Sequence, residues 1–296
     1  MKSIYPCPRQ ASFYRAFIFK KWKSDKRRVR NLPVGYTPTL SVVIPALNEV
    51  ENLPHVLPLI PAWVDEVLLV DGQSTDGTIE AARQLLPGIR IVQQEGRGKG
   101  AALQSGFKSA QGDIIVMLDA DGSTDPREIP SFVNALLAGA DFAKGSRFIQ
   151  GGGTVDMPWY RRWGNQGFVM MVRLLFGGAY SDLCYGYNAF WSDILPAIHL
   201  DADGFEVETT MNVRALRAGL KVVEVPSFED KRIFGEGRLR TFPDGWRVLK
   251  AIVREWLTPP HPFVRRIPAK VERRNHRAPA AAKPSSLMPQ TEVESR

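Results

Sequence analysis

The chain reads Ile114-Ile115-Val116-Met117-Leu118-Asp119-Ala120-Asp121-Gly122 near its middle. A continuous apolar run of this kind is typical of a strand that is buried on both faces, as in a parallel sheet. It ends at two carboxylates, and residues 122–126 then signal a turn and the start of a helix. Because ligands of open α/β sheets lie beyond the carboxyl ends of the strands, this stretch predicts both the sheet and the edge that carries its site.

Asp119 and Asp121 form an Asp-x-Asp pattern at that edge. Two carboxylates so close together repel each other unless a cation lies between them, and hard divalent cations prefer oxygen ligands. The pattern is also short and common, so Asp119 could instead cap the strand and Asp121 the turn. The rest of the sequence favours the metal site.

Length and composition are ordinary for a soluble globular protein. The chain has 296 residues, of which 44% are hydrophobic and 24% charged, enough for a large core in one or two domains. Its net charge of +8 suits a partner that carries phosphates. The two cysteines form neither a disulfide framework nor a metal pattern. With no signal peptide and no run of roughly 20 apolar residues, we expect a cytoplasmic protein without a spanning segment.

Both termini are basic. Residues 1–38 mix aromatic and basic side chains, most densely over 13–23, and could lie on an anionic membrane surface or pack on the folded domain. Residues 259–296 are rich in Arg, Ala, Pro and Ser, so we expect a disordered tail. The predicted domain therefore covers 39–258.

Between the termini, strand-like segments alternate with helix-like ones. Strands are predicted over 40–44, 66–70, 89–93, the central run to Asp119, 142–145 and 222–225. Helices are predicted between them, for example over 101–110, 130–137 and 205–216. Such alternation implies right-handed crossovers and a Rossmann-like α/β fold, with a mostly parallel sheet and helices on both faces.

Two helix signals are more specific. Asn48 is a candidate N-cap with Glu51 as its capping-box partner. A last, amphipathic helix is predicted to start at Asp244 and to stop before Pro259-Pro260. Its apolar stripe comprises Leu249, Ile252, Val253 and Trp256.

Acidic residues follow three of the predicted strands, at Glu49, at Asp71, and at Asp119 with Asp121. Characteristic segments surround them and continue downstream. They are Val43-Ile44-Pro45-Ala46-Leu47-Asn48-Glu49, Val70-Asp71-Gly72-Gln73-Ser74-Thr75-Asp76-Gly77-Thr78, Leu118-Asp119-Ala120-Asp121, Gly145-Ser146-Arg147-Phe148 and Asp182…Gly186-Tyr187…Phe190.

This ordered set, over about residues 40–250, resembles the family 2 inverting glycosyltransferases of GT-A fold. It is most similar to the dolichyl- or polyprenyl-phosphate mannosyl- and glucosyltransferases, which use GDP-mannose or UDP-glucose. The resemblance implies a metal-dependent inverting enzyme that moves a hexose from a nucleotide sugar to a polyprenyl phosphate. Separately, the aromatic and basic residues 13–23 and the Arg and Trp residues of 159–176 suit an interface, so we expect peripheral association with the inner face of the membrane.

The resemblance also implies roles for individual residues. The nucleotide sugar would be bound by Pro45, Ala46, Asn48, Glu49, Asp71, Lys99, Asp119 and Arg232. Asp119 and Asp121 would hold Mg²⁺ or Mn²⁺, with Asp121 as the principal ligand. The acceptor would meet Arg147, Arg161 and Arg162. The catalytic set would be Asp121, Asp182 and Arg147.

Asp182 would act as the general base if the acceptor were a hydroxyl. A phosphate acceptor, with a second pKa of about 6, is already mostly ionised and needs no base. The sequence departs from the family at Gly72, where a second Asp is usual, and at Gly237-Arg238, where Ser-Lys is frequent.

Several alternatives stay open at this stage. Gly96–Gly100 lacks the P-loop spacing and is interpreted as a tight turn that admits close approach of the nucleotide. Arg161 and Arg162 could be solvated surface charges, Asp182 could cap a loop, and Glu206 and Glu208 could pair with Arg214 or Arg217.

For function, a family 2 glycosyltransferase acting on a hydroxyl of a soluble metabolite or another glycan is the alternative. A nucleotidyltransferase should carry a Gly-rich basic loop after its first strand, which residues 45–49 do not form. Nucleic-acid binding would not explain acids at the strand ends, so we expect no nucleic-acid partner.

Overall fold

The computed structural model describes residues 36–155 and 157–259. Most of the predicted N-terminal extension and nearly all of the predicted tail lie outside the described residues, so the domain boundaries stay predictions. Of the helices described, none is both long and apolar enough to cross a membrane.

One seven-stranded sheet organises the domain, and its strands follow the order β3-β2-β1-β4-β7-β5-β8. A small parallel sheet pairs β6 with β9. The strands are β1 (Leu40–Ala46), β2 (Glu66–Asp71), β3 (Arg90–Gln93), β4 (Ile114–Met117), β5 (Phe142–Ser146), β6 (Gly153–Thr154), β7 (Asn188–Trp191), β8 (Val222–Pro226) and β9 (Phe228–Glu229). In the large sheet only β7 runs antiparallel to its neighbours, so the mostly parallel sheet is confirmed.

Helices surround this sheet. They are α1 (Leu53–Val56), α2 (Thr78–Leu85), α3 (Lys99–Ser109), α4 (Ile129–Leu137), α5 (Trp159–Phe176), α6 (Leu195–Ile198), α7 (Val207–Arg217) and α8 (Thr241–Leu257). Short 3₁₀ turns lie at Leu57–Leu59, Pro126–Glu128 and Ser192–Ile194. The order of strands and helices over the first half of the chain agrees with the prediction.

The central strand β4 is buried on both faces, as its unbroken apolar sequence predicted. It ends at Met117 rather than at Asp119, although the Leu118 amide still donates to the Val43 carbonyl at 3.3 Å. The two aspartates therefore stand just beyond the strand, where their side chains can turn toward a ligand.

The strand β7 was not predicted. It inserts antiparallel between β4 and β5, pairing Ile115 with Phe190 and Phe142 with the same residue. Its four residues are too few for a recognisable alternation, and their partners lie far away in sequence.

The helix α1 begins after Asn52, not after Asn48, so the predicted capping box is wrong. Asn48 instead adopts a left-handed conformation with φ of 54°. Its backbone amide donates to Ser74 Oγ and its side-chain oxygen accepts from the Thr75 amide, both at 2.9 Å. Asn48 therefore ties the exit of β1 to the exit of β2.

The helices α5, α7 and α8 share a second apolar cluster, separate from the core of the sheet. Its buried members are Val169, Val172, Tyr180, Leu183, Val213, Val248 and Ile252. In α8, Ile252 faces this cluster, whereas Val253 and Trp256 of the predicted stripe are exposed. The helix thus has one buried and one exposed apolar face, and the predicted stripe combined residues from both.

Candidate active site

The carboxyl ends of β1 and β4 open into a cleft of about 710 Å³. Strand exits, the turn before α3, the helices α5 and α8, and residues 230–240 (the late loop) contribute to its lining. The predicted site residues that line it are Pro45, Ala46, Glu49, Lys99, Asp119, Asp121, Arg147, Arg161 and Arg232.

Strand register explains why these exits meet. Ala46 pairs with Asp71 across β1 and β2, and Val43 pairs with Met117 across β1 and β4. Because the three strands are parallel neighbours, the segments that follow them emerge at one edge, as the sequence predicted.

Asp119 is held by Lys99, which stands at the start of α3. Lys99 Nζ donates to Asp119 Oδ2 at 2.9 Å and to Glu208 Oε1, from α7, at 2.7 Å. A Cβ atom on Gly186 would lie 2.7 Å from Glu208 Oε1 and 2.8 Å from Lys99 Nζ. The three charged groups therefore pack closely against the backbone at Gly186, and a larger side chain there would displace their ends.

Asp121 is held by its own turn and by the late loop. Its Oδ1 accepts from the Ser123 amide at 3.0 Å and from Ser123 Oγ at 2.7 Å. Arg232 Nη1 lies 3.4 Å from Asp121 Oδ2, while its Nη2 donates to Glu49 Oε1 at 2.6 Å. Glu49, Asp119, Asp121 and Glu208, bridged by Lys99 and Arg232, are called the acidic cluster below.

The charges of the acidic cluster depend on one another. Burial raises the pKa of Asp119 to about 6, and the neighbouring charges of Asp121 and Glu208 add to the rise, although Lys99 opposes it. Burial alone would lower the pKa of Lys99, but Asp119 and Glu208 raise it. For Arg232, burial is likewise outweighed, and hydrogen bonds to Glu49 raise its pKa. Negative charge in this cluster therefore exceeds what its two cations neutralise.

Asp119 and Asp121 fit a divalent cation. Within residues 36–155 and 157–259, no three side chains of His, Cys, Asp or Glu come together as a complete metal site. Mg²⁺, however, is usually held by one or two carboxylates plus substrate phosphates and water. Both carboxylates line the cleft, and their side chains are 27% and 22% exposed. The two residues thus suit an ion that arrives with a phosphorylated ligand.

Arg147 lies between two carboxylates elsewhere in the cleft. Its Nε and Nη2 donate to Asp182 Oδ2 and Oδ1 at 2.7 and 2.9 Å. Its Nη1 donates to both oxygens of Glu229 at 2.9 and 3.0 Å. The guanidinium also stacks on Tyr185, with 4.7 Å to the ring centroid. Arg147, Asp182 and Glu229 are called the Arg147 cluster below.

This geometry limits the access of Asp182, whose role as a general base stays a prediction. A general base must reach the proton it removes, but Asp182 is 0% exposed and both of its oxygens accept from Arg147. Burial alone would raise its pKa, but Arg147 holds the pKa below its usual value. Asp182 is therefore placed as an anchor for Arg147 and not as an accessible base.

The two arginines of α5 differ. Arg161 lines the cleft, and its Nε and Nη2 donate to Thr241 Oγ1 at 3.0 Å and the Leu239 carbonyl at 3.1 Å. Arg162 is exposed and lies over the ring of Phe148, 5.3 Å from its centroid. Of the pair, the structure brings Arg161 to the cleft.

Asp71 lies below the cleft surface. It is 1% exposed, and its Oδ2 accepts from the Gln73 amide at 3.1 Å and from the Ser74 amide at 3.3 Å. The neighbouring Gly72 and Gln73 line the cleft in its place. Contact between Asp71 and a nucleotide base stays a prediction. Contact between Asn48 and the nucleotide sugar also stays a prediction.

The glycine-rich turn before α3 packs against protein backbone. The Gly100 amide donates to the Asp203 carbonyl at 2.8 Å. A Cβ on Gly98 would lie 2.3 Å from Asp203 O. The close approach between this turn and the backbone at Asp203 explains why the turn contains glycines. The turn also positions Lys99 toward the acidic cluster.

The late loop closes over the strand exits. Besides the contacts of Arg232, Arg238 Nη2 donates to the Leu47 carbonyl at 2.7 Å, and the Phe234 amide donates to Asn52 Oδ1 at 2.9 Å. The late loop thus brings Arg232 to the acidic cluster, and contact between Arg232 and a nucleotide sugar stays a prediction.

Sequence reasoning missed Glu208 and Glu229. Pairing of Glu208 with Arg214 or Arg217 was one alternative left open by the sequence, but both arginines pair with Glu255. The only sequence signal for Glu208 was its position in the first turn of the predicted helix. Nothing in the sequence indicated that this turn faces the cleft. Glu229 sits on the two-residue strand β9, which has no detectable pattern.

Comparison with known proteins identifies the family of this chain. The profile of the family described as "Glycosyl transferase family 2" matches residues 41–196. This range contains β1 to β5 and both aspartates of the pattern at the end of β4.

Two related proteins each match about two thirds of this chain. An undecaprenyl-phosphate mannosyltransferase from Micrococcus luteus is 34% identical over 209 residues, which are 67% of this chain and 86% of the relative. A dolichol-phosphate mannosyltransferase from Pyrococcus furiosus is 32% identical over 210 residues, 68% of this chain. The matched region spans 59% of the length of that second relative.

Among solved structures, glucosyl-3-phosphoglycerate synthase from Mycobacterium tuberculosis, in complex with Mn²⁺, UDP and phosphoglyceric acid, has the same fold. Its TM-score is 0.59 at 24% identity, over 75% of this chain and 80% of that one. Because the profile covers more than half of the sequence and a relative above 30% identity is matched over most of its length, this chain belongs to the glycosyltransferases of family 2.

Proposed function

We propose that this chain transfers a hexose from a nucleotide sugar to a polyprenyl phosphate, with Mg²⁺ or Mn²⁺ and with inversion at the anomeric carbon. The observation that carries the proposal is the acidic cluster, in which four acids face one cleft around two cations. The names of the Micrococcus luteus and Pyrococcus furiosus relatives support a prenyl-phosphate acceptor.

The donor would lie at the exits of β1 and β4. Pro45, Ala46 and Glu49 line this part of the cleft and would contact the nucleoside. A divalent cation held by Asp119 and Asp121 would neutralise the charge that builds on the leaving diphosphate. Arg232 belongs to the late loop, and release from Asp121 would leave its charge available for the same phosphates.

Lys99 has a different part in this proposal. It bridges Asp119 and Glu208 at short distances from the start of α3. Its positive charge limits repulsion among the acids, so that Asp119 stays ionised beside the metal. Glu208 in turn fixes the position of Lys99.

The acceptor phosphate would meet Arg161. Among the described residues, its guanidinium donates two hydrogen bonds, both to neutral oxygens. Its positive charge is therefore available to an anion. Arg147 is neutralised by two carboxylates, so its proposed part is to shape the acceptor side of the cleft. Arginine suits a phosphate because its fork donates in bidentate geometry.

A prenyl chain implies that the reaction takes place at a membrane. We therefore propose peripheral association with the inner, cytoplasmic face of a membrane. The aromatic and basic residues 13–23 lie outside the described residues, whereas α5 exposes Trp159 and Trp163.

The experiment is a transfer assay with three acceptors. Full-length protein with Mn²⁺ and either GDP-mannose or UDP-glucose is given polyprenyl phosphate, the corresponding alcohol, or 3-phosphoglycerate. We expect one donor to yield a prenyl-phosphate hexose by mass spectrometry while the alcohol stays unmodified. Product from 3-phosphoglycerate or the alcohol, with none from polyprenyl phosphate, would assign the enzyme to a soluble or hydroxyl acceptor.

A further inference from the structure

The exits of β2 and β3 form an end of the cleft that lies away from β4. Gly72 and Gln73 follow β2, Gln94 follows β3, and all three line the cleft. The Gln94 amide donates to the Asp71 carbonyl at 2.9 Å, so the pairing of the two strands continues to this point. Asp71 itself is buried and accepts from the backbone of its own turn. At these two exits the polar side chains that line the cleft are therefore neutral carboxamides.

The side-chain amide of Gln94 is held in one orientation. Its Nε2 donates to the Gly96 carbonyl at 3.2 Å and to the Gly98 carbonyl at 3.0 Å. Because both partners are carbonyl oxygens, which only accept, the nitrogen of the amide must face them and the oxygen must face away. The glycine-rich turn thus fixes the direction of Gln94 Oε1.

Gln94 Oε1 lies beside the backbone of Gly72. A Cβ atom added to Gly72 would lie 3.0 Å from this oxygen. The φ of Gly72 lies outside the left-handed region, so the backbone does not require glycine there, and the absent side chain leaves room beside Oε1. Within the described part of the chain, Oε1 accepts no hydrogen bond. The wall of the cleft therefore presents a fixed, neutral acceptor at this point.

The strand order places this acceptor at a distance from Asp119 and Asp121 that suits a nucleotide. In the order β3-β2-β1-β4, the exits of β2 and β3 lie two and three strands from β4, roughly 10–14 Å away. Phosphate oxygens only accept and gain nothing from Oε1, whereas a metal at the two aspartates would attract them. A nucleoside diphosphate with its phosphates at the aspartates would therefore reach Gln94 with its base.

We infer that Gln94 recognises the base of the nucleotide sugar, with Oε1 accepting a hydrogen bond from an N–H group of the base ring. The inference rests on the proposed nucleotide-sugar donor. Guanine carries such a group at N1 and uracil at N3. At the corresponding positions adenine and cytosine carry a ring nitrogen without a hydrogen, whose lone pair would face that of Oε1. A base that cannot donate leaves the covered oxygen unpaired, so Gln94 favours guanine or uracil nucleotides.

The test is isothermal titration calorimetry of the full-length protein with GDP, UDP and ADP in the presence of Mn²⁺. Wild type is compared with Gln94→Ala and with Gln93→Ala. Gln93 is the same residue type, is exposed and does not line the cleft, so it is the matched control. The Mn²⁺ affinity of each nucleotide-free variant is also measured, because loosening of the turn that leads to Lys99 would change it.

We expect GDP or UDP to bind wild type more tightly than ADP. Gln94→Ala should weaken the binding of that nucleotide about fivefold, which is about 1 kcal/mol for one neutral hydrogen bond. Its affinities for ADP and Mn²⁺, and every affinity of Gln93→Ala, should stay within about twofold of wild type.

Three outcomes would overturn the inference. The first is equal affinity of wild type for the three nucleotides, and the second is an unchanged affinity for GDP and UDP in Gln94→Ala. The third is a loss of affinity for ADP or Mn²⁺ as large as that for the preferred nucleotide, which would show that Gln94 only supports the turn.

A double variant moves the acceptor from one strand exit to the other. Gly72→Asp alone should bind the preferred nucleotide no more tightly than wild type, because its side chain competes with Gln94 Oε1 for the same space. Gly72→Asp combined with Gln94→Ala places a carboxylate acceptor there and should restore the preference over ADP to within about twofold of wild type. A double variant that binds ADP as tightly as GDP and UDP would show that an acceptor at this place does not set the preference.

Transfer activity separates this inference from the proposed function. If Gln94→Ala lowers the preference for GDP or UDP but the wild-type protein transfers no hexose to polyprenyl phosphate, the proposed acceptor fails while base recognition by Gln94 stands. If hexose transfer is observed and Gln94→Ala leaves the nucleotide Kd unchanged, the inference fails while the proposed function stands.

Discussion

The acidic cluster and the Arg147 cluster both bring acidic and basic side chains together, but they differ in how exposed those side chains are. In the acidic cluster, Asp119 and Asp121 are 27% and 22% exposed, and Arg232 reaches Asp121 only at 3.4 Å. In the Arg147 cluster, Asp182 and Arg147 have side chains 0% and 4% exposed and share two short hydrogen bonds. Accessible carboxylates such as Asp119 and Asp121 can exchange contacts for a metal and phosphates, whereas buried bidentate contacts hold a shape.

This difference assigns separate tasks to the two clusters. Four acids with two cations leave net negative charge at the strand exits, which favours the arrival of another cation. One arginine between two acids leaves less unbalanced charge, and it joins β5, β9 and the segment before β7. We infer that the acidic cluster changes its partners during the reaction while the Arg147 cluster keeps them.

Removing the buried arginine should have the largest effect on stability. Arg147→Ala leaves Asp182 buried without its partner, so we expect the free energy of unfolding to fall by about 3–5 kcal/mol. Arg161→Ala, which breaks only bonds to neutral oxygens at the cleft surface, is the control and should cost about 1 kcal/mol or less. Urea unfolding measures both values. Equal losses in the two variants would show that the Arg147 cluster is not a structural unit.

The corresponding change in the acidic cluster should affect turnover rather than stability. Asp121→Asn is expected to lower the rate of hexose transfer at least tenfold, roughly 1.4 kcal/mol of barrier or more, because it removes the principal metal ligand. Its unfolding free energy should stay within about 1 kcal/mol of wild type. Glu95→Gln, an exposed acid outside the cluster, is the control. A wild-type rate for Asp121→Asn at saturating Mn²⁺ would contradict the metal assignment.

The smallest expected effect concerns Arg232, one of the two cations that the chain supplies to the acidic cluster. Arg232→Gln removes the positive group that contacts Asp121, so Mn²⁺ should bind the nucleotide-free protein about fivefold more tightly, within the range of a partly exposed ion pair. Electron paramagnetic resonance of free Mn²⁺ measures this affinity. Arg238→Gln changes an arginine of the same loop that contacts a neutral carbonyl and should leave the affinity unchanged. Tighter binding in both variants would point to general loosening of the loop instead.

Parts of this comparison could be predicted from sequence and parts could not. The exits of β1, β2 and β4 were predictable because fully apolar runs end at recognisable turns, and parallel neighbours place their ends at one edge. The hydrogen-bond partners of each carboxylate were not predictable in the same way. Asp71 and Asp119 follow similar strands, yet one accepts from the backbone of its own turn and the other from Lys99.

Long-range pairing accounts for most of what was missed. The position of β7 between β4 and β5 places Asp182 against Arg147, and the short segment gives no local signal of this. The helix α8 has apolar residues on two faces, so periodicity alone does not tell which face is buried. Glu208 reaches Lys99 only because α7 packs beside the glycine-rich turn.

Metal dependence of transfer to the prenyl phosphate is the most direct test of the proposed reaction. The rate of hexose transfer from the accepted nucleotide sugar to polyprenyl phosphate is measured with Mn²⁺, with excess chelator, and after Mn²⁺ is restored. Because the leaving diphosphate would lose several kcal/mol of charge stabilisation without the ion, we predict a fall of roughly 1,000-fold in chelator and full recovery on restoration. Equal rates with Mn²⁺ and with chelator would contradict the metal-dependent transfer proposed for Asp119 and Asp121.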